Sequence, residues 1–97
     1  MLRHIVLVKF VPSADDAQRR AVIDGLGALP GKIPTIRRYD IGTDLGLAED
    51  NYDLSLIAEF DSEDDFRAYA ADEHHVAVIR NHILPILAER VAVQHSF

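Results

Sequence analysis

The elements written into this sequence follow the order β-α-β-β-α-α-β, which predicts an α+β fold. The expected architecture is a split βαβ pattern with a four-stranded antiparallel sheet and its helices on one face. Three observations carry that prediction. Strand-like stretches begin near Leu2, Thr35, Tyr52 and Arg90. Two caps, Ser13 with Asp16 and Ser62 with Asp65, precede apolar residues at helical spacing. The first and third strands match in charge when laid antiparallel.

The first strand, Leu2 to Phe10, is rich in β-branched and apolar residues and stops before Pro12. One of its faces carries Leu2, His4, Val6, Val8 and Phe10; the other carries Arg3, Ile5, Leu7 and Lys9, so both faces are expected to be covered. Ser13 caps a first helix running to about Leu29, with Val22, Leu26 and Leu29 as its apolar stripe and Pro30-Gly31 as its stop. Gly25 and Gly27 each cost that helix roughly 1 kcal/mol relative to alanine unless close packing offsets the loss. Thr35 to Gly42 reads as a polar strand at an edge or an interface. Thr43 to Asn51 lacks periodicity and reads as a loop.

Tyr52 to Phe60 is the most regular alternation in the chain. Its antiparallel register with the first strand sets Arg3 opposite Glu59, Ile5 opposite Ile57 and Lys9 opposite Asp53. Ser62 then caps a short helix facing inward through Phe66, Tyr69 and Ala70. A third helix is expected from about His75 to Ala88, kinked at Pro85, with His75, Ile79, His82, Ile83 and Ile86 near one side. Arg90 to Phe97 alternates Val91, Val93, His95 and Phe97 against Ala92, Gln94 and Ser96 as the last strand. Helices on one face leave Ile5, Leu7 and Ile57 on the other, where the sheet of a second copy could close a barrel across a homodimer.

Composition narrows the function classes. A chain of 97 residues is one domain, and one this short buries a smaller fraction of its surface than a larger one, which favours a partner subunit. Hydrophobic residues at 48% and charged ones at 27% describe a globular chain. A net charge of -6 with ten scattered basic residues argues against nucleic-acid binding. The absence of cysteine removes disulfides, thiolate nucleophiles and sulfur-ligated metals, and no stretch is apolar enough to span a membrane, so a cytoplasmic location is the default expectation.

Chemistry concentrates around Tyr69 to His75, where one helix runs out and the next begins. A histidine near neutrality can take a proton from a carbon acid and return it, and a tyrosine hydroxyl can hold a carbonyl or enolate oxygen. In a catalytic reading His75 is the base, Tyr69 the oxygen-binding partner and His4 an orienting residue. In a purely structural one His75 starts a helix, Tyr69 is a core aromatic and His4 a satisfied buried histidine. The pocket is expected to be lined by His4, Val6, Leu54, Phe66, Ile79 and His82. Asp72, Glu73 and His74 are expected outside it. A metal shared by His74, His75 and His82 is poorly spaced, since His75 and His82 lie two turns and about 10 Å apart. No motif calls for a dinucleotide, phosphate or other cofactor; Gly42 to Gly46 lacks the strand-to-helix context of a phosphate loop. Arg37 and Arg38 could hold a carboxylate, while Asp53 and Glu59 are expected to pair with Lys9 and Arg3.

The run Arg3 to Phe10, Ile33-Pro34-Thr35-Ile36, Tyr52-Asp53-Leu54 leading to Glu59-Phe60-Asp61-Ser62, the turn from Tyr69 to His75, and Ile83-Leu84-Pro85 together resemble the stress-responsive dimeric α/β-barrel (Dabb) family over nearly the whole chain. That resemblance implies a ferredoxin-like monomer pairing through its sheet into a dimeric barrel. The family includes plant stress proteins without an agreed chemistry and a plant polyketide cyclase that forms olivetolic acid by an aldol-type ring closure. Tyr69, His75 and His4 match the tyrosine and histidine flanking the cyclase's turn and the histidine in its first strand. The chain departs from the family at Asp72-Glu73, where a His-Pro pair is usual, and from the cyclase at Leu54, where it has a further pocket histidine. Two functions stay open: an enzyme acting on a small carbonyl compound, such as a polyketide-like or β-keto substrate, without a cofactor, and a non-catalytic stress-associated or ligand-binding dimer.

Overall fold

The computed structural model describes residues 1–97. Strand β1 spans Leu2–Phe10, helix α1 Asp16–Gly27, β2 Arg38–Thr43, β3 Leu54–Phe60, α2 Glu63–Ala71, α3 Glu73–Val78 and β4 Leu87–Ser96. The sheet has the order β2-β3-β1-β4 and every neighbouring pair is antiparallel. This is the α+β fold the element order predicts, with β2 at an edge. No helix is long and apolar enough to cross a membrane.

The β1–β3 register is the one the charges dictate. Arg3 faces Glu59 and Ile5 faces Ile57, and the Arg3 guanidinium lies 2.9 Å from the Glu59 carboxylate. The far end differs. Asp53 accepts the Phe10 backbone N–H at 2.8 Å and pairs with Arg19 at 3.6 Å, while the Lys9 ammonium rests over the Tyr52 ring. A short carboxylate beside a strand end meets an unpaired backbone donor more readily than a flexible lysine, so the expected Lys9–Asp53 pair is replaced. Arg37 and Arg38 are not free: Arg37 donates to Asp61 through two nitrogens, at 2.9 and 2.7 Å, and Arg38 donates to Asp40 and Glu59.

Boundaries shift where a local hydrogen bond competes. The cap of α1 is Asp15, not Ser13: Asp15 accepts the Gln18 N–H at 2.8 Å and Gln18 accepts the Asp15 N–H at 3.0 Å. That reciprocal box satisfies two free donors at once. Pro34 sits inside a turn closed by Ile36 N–H on Ile33 O, which delays β2 to Arg38. Ser62 caps α2 as expected, accepting from Asp65 N at 3.1 Å. Asp72 caps α3 by accepting from His74 N at 2.8 Å, so α3 begins before His75.

The end of α3 is the largest departure. A single kinked helix to Ala88 does not form; the chain widens into a π turn over Ile79–Ile83 and tightens into a 3₁₀ turn over Leu84–Ile86, in whose first turn Pro85 lies. Proline's missing N–H and ring bulk disrupt the regular ladder there, and the extra residue of the π turn re-aims the side chains around it.

The core lies between the helices and one sheet face. Val22, Leu26 and Leu29 meet Val6, Val8, Leu54, Leu56, Ala58 and Phe60, with Tyr69, Val78, Ile83 and Ile86 completing the layer. Gly25 allows α1 to approach α3, because a Cβ there would stand 3.2 Å from Val78 Cγ1; nothing lies near Gly27. The opposite sheet face stays bare: Ile5 pairs with Ile57 and Val93, and Leu7 with Val91. Val93 is 52% exposed.

Candidate functional site

Between sheet and helices is an apolar cavity of about 80 Å³. Its floor is His4, Val6 and Val8 from β1 with Leu54 and Leu56 from β3, placed there by the period-two alternation of both strands. Its roof is Leu26 of α1, Tyr69 of α2, His75 of α3, and Ile79 and Ile83 of the π turn; Leu84, Leu87 and Arg90 close the side toward β4.

Tyr69 is 1% exposed and holds the centre of an aromatic cluster. Its ring lies 4.3 Å from the His75 ring, 6.3 Å from His4 and 5.1 Å from Phe60. Its hydroxyl is 2.8 Å from the Tyr39 hydroxyl, reaching across from the edge strand. His75 Nδ1 lies 3.1 Å from Ala70 O. A carbonyl only accepts, so Nδ1 carries the hydrogen and Nε2 of the neutral ring carries the lone pair. At His4 the roles reverse. Gln94 Nε2 donates to His4 Nδ1 at 2.8 Å, which puts the His4 hydrogen on Nε2. The cavity therefore holds two neutral imidazoles of opposite tautomer, one offering a basic nitrogen and one an N–H.

Electrostatics favour those neutral forms. Burial, with smaller contributions from the Arg90 and His75 charges, pulls the His4 pKa from 6.5 to about 4. Burial also lowers His75; its hydrogen bond to Ala70 O works the other way, and the Arg90 charge lowers it further. Tyr69 is raised by burial and stays a hydroxyl, although Tyr39 and Arg90 both act to lower it. Burial pushes Tyr39 up as well, ahead of its interactions with Tyr69.

His4, Val6, Leu54, Tyr69, His75 and Ile79 thus meet at one cavity. Phe66 and His82 depart from that expectation. Phe66 lies behind the site, its ring 4.8 Å from His4 and 5.7 Å from Phe60. His82 is exposed beside Gly25 on the outer side of the helices, because the π turn breaks the periodicity that aligned it with His75. His74 and Asp72 pair with each other at 3.0 Å away from the cavity. No three His, Asp or Glu side chains gather where they could hold a metal ion.

Three polar groups escaped the sequence reading: Tyr39, Gln94 and Arg90. Strand parity was the available signal. Tyr39 shares its face with Ile41, which sits opposite Leu56; Gln94 and Arg90 share theirs with Ala92, opposite His4, Val8 and Val6. A register shift, Lys9 with Glu89 but Phe10 with Leu87, adds one residue to β4, so that Leu87 joins Arg90 on the cavity face.

Comparison with known proteins places this geometry. The chain is 43% identical to a dimeric ferredoxin-like protein of unknown function from Thermobifida fusca, covering 99% of this chain and 90% of that one with a TM-score of 0.90. A dimeric ferredoxin-like protein from Bacteroides fragilis is 28% identical, with 99% and 95% covered and a TM-score of 0.87. A hydroxynitrile lyase from Passiflora edulis shares the fold at 21% identity, with 97% and 90% covered and a TM-score of 0.85. No curated protein matches the sequence. Residues 2–97 match the Stress responsive A/B Barrel Domain, and the chain belongs to that family, Dabb.

Proposed function

We propose that the chain is a homodimer joined through the bare face of its sheet, and that each cavity promotes proton transfer on a small carbonyl compound. His75 is the base and Tyr69 the oxygen-holding hydroxyl. The observation that carries the reading is the hydrogen bond from His75 Nδ1 to Ala70 O, which leaves Nε2 as the basic nitrogen of a ring 4.3 Å from Tyr69. The lowered pKa keeps that ring unprotonated near neutral pH.

The step balances within the protein's own groups. Nε2 takes a proton from the carbon next to the carbonyl; the C–H electron pair becomes the C=C bond of the enolate, and its oxygen accepts a hydrogen bond from Tyr69. The 2.8 Å bond between the two hydroxyls supports this when Tyr39 is the donor, since the Tyr69 hydrogen is then free for the substrate. The imidazolium then returns the proton to carbon or to another oxygen.

Size restricts the substrate. A cavity of about 80 Å³ far exceeds the roughly 15 Å³ one water needs but falls well below the ~300 Å³ at the lower end of sites for drug-sized ligands. It suits a compound of a few non-hydrogen atoms, or the reacting end of a longer one. The homodimer is supported by the apolar row Ile5, Leu7, Ile57, Val91 and Val93, and by the dimeric relatives.

The test is exchange of the α-protons of 2-butanone into D₂O, followed by NMR. The wild-type protein should accelerate exchange, and His75→Ala should reduce that acceleration about 100-fold, the lower part of the range for general-base catalysis. Equal exchange with and without His75 would leave the domain as a ligand-binding dimer.

A further inference from the structure

The cavity has a cation at its rim that the proton-transfer reading does not use. Of its lining residues Arg90 alone carries a fixed positive charge, since His4 and His75 are held neutral. Arg90 has no ion pair and no side-chain hydrogen bond; Arg3, Arg19, Arg37, Arg38 and Arg67 are held by carboxylates, and the other unpaired arginines, Arg20 and Arg80, do not line the cavity. The adjacent Glu89 faces the other way, beside Lys9, and accepts from the Tyr52 hydroxyl at 2.9 Å. Arg90 is exposed and Leu84 beside the cavity is 56% exposed, which makes this side the mouth. Regular alternation puts Arg90 on the cavity face opposite Val8, and the extra residue in β4 brings Leu87 to the same face.

We infer that the substrate class is a short oxo acid, its carboxylate held by the Arg90 guanidinium at the mouth and its carbonyl directed to Tyr69 and His75. A guanidinium presents a planar fork of donors matched to a carboxylate, and this one has no carboxylate of its own to give up first. In a chain of net charge -6 it is a cation at the one apolar cavity that holds Tyr69 and His75. The fixed positive charge also favours an enolate forming deeper in the cavity. The apolar interior accepts the carbon chain. Arg90 is here a specificity-determining residue.

The inference rests on the proton-transfer reading, and the experiment separates the two. The probes are 2-oxobutanoate and its neutral isostere 2-oxobutanamide, with α-proton exchange into D₂O followed by NMR at low ionic strength. The wild-type protein should favour the anion over the amide about tenfold in kcat/KM. Arg90→Gln should bring that ratio close to one, Arg90→Lys should restore part of it, and added salt should narrow it in the unaltered protein, so the result does not depend on a variant folding. Equal exchange of both probes by the wild type, or a ratio unmoved in Arg90→Gln, overturns the oxo-acid assignment while leaving the base intact. Absence of exchange with either probe overturns the proton-transfer reading; 2-oxobutanoate binding that then shifts the Arg90 resonances and is lost in Arg90→Gln sustains the anion site, and no such binding overturns it as well.

Discussion

The two faces of the sheet are built from the same strands and have opposite fates. On one face His4, Val6, Val8, Leu54 and Leu56 lie beneath helices and enclose a cavity; on the other Ile5, Leu7, Ile57, Val91 and Val93 lie under nothing in the single chain. Both are apolar at the centre, so hydrophobicity alone does not distinguish a site from a seam. The difference is the placement of polar groups. The covered face puts them at its centre, each with a partner: His4 with Gln94, His75 with Ala70 and Tyr69 with Tyr39. The bare face keeps charge at its rim, where Arg3 stacks over Phe97 at 4.1 Å and also holds Glu59. Partnered polar groups inside an apolar wall are what the proposed chemistry needs, whereas an apolar centre with a charged rim is what the proposed contact needs.

The largest effect should come from breaking the contact face. Val93→Asp places a charge at the centre of the proposed seam, where leaving it without a partner costs several kcal/mol, and should weaken the dimer at least 100-fold, about 2.8 kcal/mol. Sedimentation should report one chain instead of two. Because Val93 is half exposed in the single chain, its fold should survive; a dimer unmoved by Val93→Asp would assign the bare face to another partner.

The covered face responds differently. Tyr69→Phe removes a hydroxyl and leaves Tyr39 without its bond partner, which should cost about 1–3 kcal/mol of stability. It should also lower α-proton exchange about tenfold without changing the oligomeric state. Thermal unfolding and sedimentation on the same sample check both halves, and a Tyr69→Phe that dissociates the dimer would erase the distinction between the faces.

A smaller effect is set by pH. His4 is neutral when folded and takes a proton more readily when unfolded, its folded pKa being about 4 against an ordinary 6.5. The unfolded state therefore binds more protons between those values, so the stabilisation is complete above about pH 6.5 and is lost as the pH falls toward about 4. His75, also lowered, acts in the same direction. His4→Gln should flatten this part of the melting temperature against pH, and an unchanged slope would show that His4 does not carry it.

Much of the architecture was legible because one signal decided each element. The β1–β3 register followed from matched charges and alternating faces, and Ser62 marked the start of α2. Where two signals competed, the stronger set of hydrogen bonds won: Asp15 with Gln18 over Ser13, and Asp53 with Phe10 N–H over Lys9. His4, Tyr69 and His75 were legible as one cluster because strand parity and two helix ends converge on them. His82 was misplaced because the π turn adds a residue that no periodicity announces; Arg90 was passed over although the alternation it shares with Ala92 and Gln94 puts it on the cavity face. The two misses differ in cause. In the π turn a single extra residue changes which side chains face inward, and the sequence carries no local mark of it; at Arg90 the mark was the strand alternation itself.

The central claim is that His75 is a neutral base whose lone pair resides on Nε2. Nitrogen NMR of ¹⁵N-histidine-labelled protein at pH 7 tests it most directly. The account predicts a protonated Nδ1 and an unprotonated Nε2 at His75, with the opposite arrangement at His4. A protonated Nε2 at His75, or a fully charged imidazolium there, would contradict it.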